Sequence, residues 1–306
     1  MVAVWGVAAA RFAAVLGDRA VAPDERGDRW LALGPDYVAF AAFDQPGWAR
    51  LRAEGALLGA WRSAGLPVPQ VLREDATQRV QVRERMQGPV HGDEVLDRIF
   101  GVGTPGGPAS ADDLDNRYAP EVPLTDFGAR CAESYGELTA RMHAAVTADS
   151  ALGEALGPCE RKDVEACLDL LHARAPELGR RAEVARPWLL ATPPGDTLVH
   201  RDLHFHNMVL EENGTIAGVF DLGDAGVGAP SDEMLYIHGL GPRFVERVLA
   251  AYARERGTAL PLEDVERAHL RTAIAHLGLH GPDHPRHPAI LGWIAHALDH
   301  LRFVPR

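Results

Sequence analysis

Thr197-Leu198-Val199-His200-Arg201-Asp202-Leu203-His204-Phe205-His206-Asn207-Met208-Val209-Leu210, with Thr215 to Phe220 and Asp221-Leu222-Gly223 after it, is the stretch on which the fold turns. Thr197 to Val199 predicts a short strand. Met208 to Leu210 and Thr215 to Phe220 predict two more, joined across Glu211-Glu212-Asn213-Gly214. Asn213-Gly214 is a strong two-residue hairpin signal, because both residues tolerate positive φ. A hairpin returns the chain, so Asp202, Asn207 and Asp221 converge at one mouth. Their oxygens suit a hard divalent cation that keeps waters and phosphates as its other ligands. Phosphoryl transfer asks for this division of labour, with one carboxylate beside the attacking hydroxyl and others on the metal. Simple turn formation by Asx side chains is the competing interpretation.

The stretch resembles the protein-kinase-like superfamily. His200, Arg201, Asp202, Leu203 and Asn207 match H-R-D-L-x-x-x-N literally, and Asp221 and Gly223 match D-x-G. Five fixed identities over about 300 starting positions arise by chance on the order of 10⁻⁴ times. His204 narrows the resemblance to the H-x-D-L-H-x-x-N motif of aminoglycoside phosphotransferases, choline kinases and related small-molecule kinases. The resemblance implies an α+β, protein-kinase-like two-lobed fold: an N-terminal antiparallel sheet with one helix, then a mainly helical C-terminal lobe. It makes Asp202 the catalytic base and Asn207 and Asp221 the Mg²⁺ ligands, with ATP, or GTP, as phosphoryl donor. His200 and His204 become hydrogen-bonding supports for the loop, and the hinge backbone at Arg85 and Met86 meets the adenine. Gly226 to Pro230 is similar to the family's G-x-G-D-P stretch, with Ala229 where Asp is common and Glu233 near a usual helix Asp.

Upstream, Arg19 to Phe43 alternates short apolar runs with turn residues, which predicts the antiparallel sheet. Trp48, Leu51, Leu57, Leu58 and Trp61 follow a helical period over Trp48 to Ser63, and Gly65-Leu66-Pro67 ends that helix. Val68 to Leu72 and Val80 to Met86 predict two further strands, and Gln87-Gly88-Pro89 a hinge. The expected division is therefore residues 1–87 as nucleotide-binding lobe and 88–306 as catalytic and substrate lobe. Glu54 resembles the family's helix glutamate that pairs with a strand lysine gripping nucleotide phosphates. Tyr37 to Phe43 has no Lys or Arg, however, and Phe40 or Ala41 stands where the lysine belongs. The phosphate loop would be Asp24 to Asp28, with a single Gly27, and Arg29, Arg50 and Arg83 are the cations at hand to substitute.

Gly101 to Phe127 is rich in Gly and Pro and predicts a long loop or lid, with five acids against one base. Cys131 to Val146, Lys162 to Arg174 and most of Ser231 to the end predict helices. The chain has 306 residues and 31 Lys plus Arg against 43 Asp plus Glu, a formal charge of −12 that argues against a nucleic-acid partner. With 46% hydrophobic and 24% charged residues it is a globular composition. No run approaches the roughly 18 apolar residues of a membrane span. Cys131, Cys159 and Cys167 lack metal or disulfide spacing, and Met1 to Ala10 lacks the charged start of a signal peptide, so a cytoplasmic protein is expected. The fourteen histidines, including His276 with His280 and His284 with His287, show no paired Cys or carboxylate and predict no metal site. Ser134, Ser150 and Ser231 lack a G-x-S-x-G context. The resemblance puts an aminoglycoside or other antibiotic first as the small-molecule hydroxyl acceptor. A metabolite kinase for choline, homoserine, a sugar or a macrolide-like compound is the alternative, and the missing lysine adds an inactive nucleotide-binding pseudokinase.

Overall fold

The computed structural model describes residues 2–17, 24–26, 29–102, 123–148, 150–158, 163–191, 195–279 and 282–303. Residues 103–122 of the expected lid, Gly27 and Asp28 of the expected phosphate loop, the apolar run Ala20 to Ala22, Cys159 and His280 lie outside them.

Helix α1 (Val2–Leu16) comes first, and the sequence reading did not anticipate it. Its alanines favour the helix, and Ala8, Phe12 and Val15 are buried on the outer face of the sheet. That sheet is fully antiparallel: β1 (Asp24–Arg26), β2 (Arg29–Leu33), β3 (Tyr37–Ala42), β4 (Val71–Asp75) and β5 (Val80–Glu84), in the order β1-β2-β3-β5-β4. Alternation divides its faces. Trp30, Ala32, Tyr37, Ala39, Ala41, Val80 and Val82 pack under α1. The register pairs Leu31 with Phe40, Phe40 with Gln81 and Val38 with Arg83, so Arg29, Phe40, Gln81 and Arg83 share the opposite face. Helix α2 (Gln45–Ser63) covers that inner face. Asp44 caps it by accepting from Gly47 N at 2.8 Å, and Pro46 sits in the first turn, where no backbone donor is needed. The apolar run from Val68 enters β4 only at Val71, and β5 ends at Glu84, two residues short of Met86.

The segment after β5 then joins the hairpin that carries Leu210, because Val90 and Leu210 exchange backbone hydrogen bonds of 3.3 and 2.9 Å. The C-terminal lobe holds α3 (Asp93–Phe100), α4 (Asp126–Ala145), α5 (Ala151–Leu156), α6 (Val164–Arg174), α7 (Pro176–Val184) and α8 (Arg186–Leu190). Strands β6 (Thr197–Val199), β7 (Met208–Leu210), β8 (Ile216–Val219) and β9 (Gly226–Gly228) follow, then α9 (Pro242–Arg256), α10 (Leu262–Leu279) and α11 (His287–His300). β7 pairs with β8 and β6 with β9. Helices α4 and α9 approach closely at Gly136, where a Cβ would lie 2.2 Å from the Val248 carbonyl oxygen. One core runs from α2 through α4 and the catalytic hairpin to α9, and a second joins α6, α7, α8, α10 and α11. Among the described residues, no helix is long and apolar enough to cross a membrane.

Candidate active site

The hairpin forms where the sequence places it but with a longer loop than Asn213-Gly214 alone would give. Gly214 N donates to Glu211 O and Glu211 N to Thr215 O, which encloses three residues, and Gly214 takes φ 90°. This is the three-residue hairpin with Gly at the left-handed position. A Cβ at Gly214 would meet Phe127 O at 2.4 Å, so tertiary packing requires glycine there as well. Val219 N donates to Pro67 O, which anchors β8 to the N-terminal lobe.

The loop from His200 to Asn207 is held from three sides. Glu233, fully buried, accepts from His200 N at 2.6 Å and Arg201 N at 3.0 Å, and His143 Nε2 lies 3.6 Å away. Burial opposes ionisation of Glu233, but the nearby imidazoles of His143 and His200 and the backbone hydrogen bond from His200 outweigh it and hold the pKa below the usual range. Arg201 takes φ 69°, a left-handed conformation sustained by that clamp. His200 Nε2 donates to Phe220 O at 2.8 Å and its Nδ1 accepts from Asp202 N, tying the loop to the residue before Asp221. The Tyr135 hydroxyl reaches Leu203 O and Glu233 O from below.

Asp202 is oriented by three side chains. Asn207 Nδ2 donates to Oδ2 at 2.8 Å and to the Asp202 carbonyl at 2.8 Å, while the Tyr236 hydroxyl donates to Oδ1 at 2.9 Å. His206 N donates to His204 Nδ1, which leaves the proton on Nε2, 3.4 Å from Oδ2. Burial works against the Asp202 carboxylate, yet the His204 imidazole, then the bond from Tyr236, lower its pKa below the ordinary value. Asp202 is therefore ionised at neutral pH, as a proton acceptor must be. Tyr236 was not anticipated: it lies in the irregular Leu235-Tyr236-Ile237 segment, where no periodicity marks a functional side chain.

Asp221 is exposed at the mouth and takes φ 64°. Asn207 turns its amide nitrogen to Asp202 and keeps Oδ1 as its second polar atom. An amide oxygen and a carboxylate make a hard donor pair that fits Mg²⁺ completed by phosphates and water. Among the described residues no group of three or more His, Cys, Asp or Glu side chains can enclose a metal unaided.

In the N-terminal lobe Glu54 is fully buried and meets arginines in place of a lysine. Arg29 on β2 grips it with two 2.8 Å bonds, and Arg83 Nη2 on β5 adds a third at 2.9 Å. Arg50 Nε lies 3.7 Å away, and its Nη atoms bond the carbonyls of Leu156, Gly223 and Ala225. Burial resists ionisation of Glu54, but the Arg29 hydrogen bonds and the field of Arg83 keep it a carboxylate. Phe40, where the lysine was expected, lies 4.6 Å from the Arg83 guanidinium carbon. At the hinge, Arg85 N is already bonded to Asp36 O at 3.0 Å, so Arg85 has only its carbonyl to offer a base. Met86 lies over β8, where a Cβ on Gly218 would come 2.4 Å from its Cε.

A cavity of about 1290 Å³ opens beside Asp202 on the C-terminal lobe. Its walls include Phe205, Tyr236, Ile237, Leu240 and Trp293, with Asp202 and Asp299 the lining acids and Arg286 the lining base among the described residues. Asp299 is paired with Arg181.

A two-lobed kinase-like fold with an ionised aspartate on a clamped loop, a hard-donor pair beside it and a roomy cavity in front defines the class of small-molecule phosphotransferases. The chain matches the Phosphotransferase enzyme family over residues 19–269 and belongs to it. Helix α1 lies outside that span. The GDP complex of wild-type aminoglycoside 2'-phosphotransferase-IIIa is similar at 16% identity over 95% of this chain and 97% of that chain, TM-score 0.61. An ADP-bound aminoglycoside phosphotransferase is similar at 16% identity over 90% of each chain, TM-score 0.56. Macrolide 2'-phosphotransferase from Brachybacterium faecium is similar at 20% identity over 89% of this chain and 90% of that chain, TM-score 0.56. At these identities the likeness is one of fold. No curated protein matches the chain.

Proposed function

We propose that this protein transfers the γ-phosphoryl group of ATP or GTP to a hydroxyl of a bulky small molecule carrying little positive charge. The observation that carries this reading is the ionised, triply oriented Asp202 facing the cavity of about 1290 Å³. In this reading Asp202 accepts the hydroxyl proton as the acceptor oxygen attacks the γ-phosphorus, the bond from that phosphorus to the β–γ bridging oxygen breaks, and the nucleoside diphosphate leaves with the bonding pair; the fixed carboxylate selects the attacking geometry. Asn207 Oδ1 and the Asp221 carboxylate would hold Mg²⁺, which supplies neutralisation of the phosphate charge when bound. The adenine or guanine would sit against the hinge, meeting the Arg85 carbonyl and the Met86 side chain. Residues 1–87 would serve the nucleotide and residues 88–306 the catalysis and the acceptor.

The acceptor is narrowed by the cavity walls. A polycationic aminoglycoside needs several carboxylates around it, since each buried ammonium requires a partner. The described wall has Asp202, which is committed to catalysis, and Asp299, which is paired with Arg181. Aromatic and aliphatic side chains share the rest of that wall with His204, His206, His276 and His296, and a lining so short of carboxylates favours a macrolide-like or other large alcohol of little positive charge. The similar solved structures include both aminoglycoside and macrolide phosphotransferases, so the choice between those acceptors rests on the cavity wall. The test is transfer of labelled phosphate from ATP and GTP to a panel of macrolides, aminoglycosides, choline, homoserine and sugars. Preferential labelling of a large neutral or monocationic alcohol is expected. Labelling of aminoglycosides alone would refute the acceptor assignment, and nucleotide binding without labelling of any acceptor would make the protein a pseudokinase.

A further inference from the structure

We infer that the triphosphate is gripped from β5 instead of β3: Arg83, held in place by Glu54, Gln81 and Phe40, forms a subsite for the phosphates of a Mg²⁺-bound nucleoside triphosphate. This rests on the kinase reading above and assigns a residue that reading leaves open.

Three guanidinium groups, of Arg29, Arg50 and Arg83, surround one carboxylate, Glu54. Glu54 is fully buried, and the Arg29 and Arg83 side chains are 11% and 4% exposed. A buried surplus of positive charge is costly unless an anion compensates it. Across the cleft the nearby acid is Asp221, whose negative charge acts on Arg83. Burial lowers the pKa of Arg83 and Glu54 restores only part of it, which is the signature of a cation short of counter-charge. A polyphosphate entering between the sheet and Asp221 supplies that charge, and the metal bound by Asp221 lets the carboxylate and the phosphates share the space.

The other two arginines are already committed. Arg29 places both Nη atoms on the two Glu54 oxygens. Arg50 donates Nη1 to Leu156 O and Nη2 to the carbonyls of Gly223 and Ala225, which fastens the loop after Asp221 to α2. Arg83 gives Nη2 to Glu54 and Nε to Gln81 Oε1 at 2.6 Å, and among the described residues its Nη1 makes no hydrogen bond. Gln81 is itself fixed by Leu51 O and Glu74, and Gly55 leaves it room, since a Cβ there would lie 2.3 Å from Gln81 Nε2. The Phe40 ring lies against the guanidinium and limits its swing. The arginine is thus pre-organised, with one edge held and one edge to offer.

The full-length protein tests this by calorimetry with Mg·ATP or Mg·GTP, whichever binds tighter, and with the corresponding nucleoside. Arg83→Gln should weaken the triphosphate by about tenfold or more, the loss of one charge-assisted contact, and leave nucleoside affinity within about twofold. Arg83→Lys should fall between, because an ammonium cannot hold both Glu54 and a phosphate in a planar fork. Retained triphosphate affinity in Arg83→Gln overturns the assignment, and so does an equal loss for nucleoside and triphosphate, which marks a purely structural role. Should Arg83→Gln not fold, Arg83→Lys decides on the same criterion. Wild-type protein that binds neither ligand overturns the kinase reading together with this one, whereas wild-type binding with unaffected variants overturns this one alone.

Discussion

Replacing Tyr236 by Phe removes one hydroxyl from the site and keeps the ring against His204. The lost bond, 2.9 Å to Asp202 Oδ1, is a neutral donor on a carboxylate. Such bonds contribute about 1.5–3 kcal/mol net. The Asp202 side chain is 26% exposed, so water takes up part of the deficit, and Asn207 and His204 remain in place. About 1 kcal/mol is then left, which is somewhat under one pH unit at about 1.36 kcal/mol per unit. The Tyr236 bond lowers the Asp202 pKa, so its removal raises that pKa. Activity needs the ionised form, and the acid limb of kcat/KM therefore moves to higher pH by about 0.5–1 unit. At neutral pH Asp202 stays ionised in both proteins. The remaining effect is the freer carboxylate, worth about three- to tenfold in kcat with the nucleotide KM unchanged. Labelled-phosphate transfer from about pH 2.5 to 8 measures both quantities. His204→Gln should shift the limb further, because His204 is the stronger of the two influences on Asp202. Superimposable acid limbs for wild type and Tyr236→Phe, or a nucleotide KM that changes as much as kcat, would refute the reasoning.

Asp202→Ala should abolish turnover while Mg·ATP binding persists, and Asp221→Ala should weaken metal-dependent nucleotide binding; equal loss of binding in both contradicts the roles, as calorimetry would show. Glu233→Ala strands the backbone N–H groups of His200 and Arg201 inside the protein and should cost about 3 kcal/mol or more, read as a lower denaturant midpoint. His238 is buried, and burial first, then the fields of His269, His296, His300 and Arg302, pushes its pKa down to about 2. It is neutral in the fold and has a pKa of about 6.5 unfolded. Its contribution is therefore intact above about pH 6.5 and is lost on acidification toward pH 2, by about 1.4 kcal/mol per pH unit. His238→Asn should flatten that acid slope in urea titrations, and an unchanged slope would exonerate His238.

The elements that the sequence revealed are those whose signal is local. The hairpin of β7 and β8 and the helices α2 and α4 carry their periodicity and turn residues in consecutive positions, and α2 and α4 were located with ends displaced by a few residues. Asp202, Asn207 and Asp221 stood out as candidates because the motif they match fixes particular identities at set spacing in one continuous stretch. Helix α1 did not, since an Ala- and Val-rich segment of low amphipathicity shows no stripe until the outer face of the sheet is there to bury Ala8, Phe12 and Val15. The sequence placed the turn within Glu211 to Gly214, and the enclosed three-residue loop with Gly214 at positive φ is a detail that the structure adds. Gly214 has to pass within reach of Phe127 O, and a local turn preference knows nothing of that neighbour.

Chemical identity along the chain was enough to nominate a candidate base, a candidate donor pair for a metal and a glutamate lacking its lysine. Three-dimensional packing decided who serves them. Glu54 could have met Arg29, Arg50 or Arg83 as far as spacing goes. Strand register puts Arg29 and Arg83 on the inner face beside Phe40, and helical spacing brings Arg50 up from the next turn. Tyr236 and Glu233 reach the catalytic loop across more than thirty residues of chain. Such contacts are products of the folded surface, because hydrogen bonds and ion pairs act over a few ångströms in space, whatever the distance along the chain.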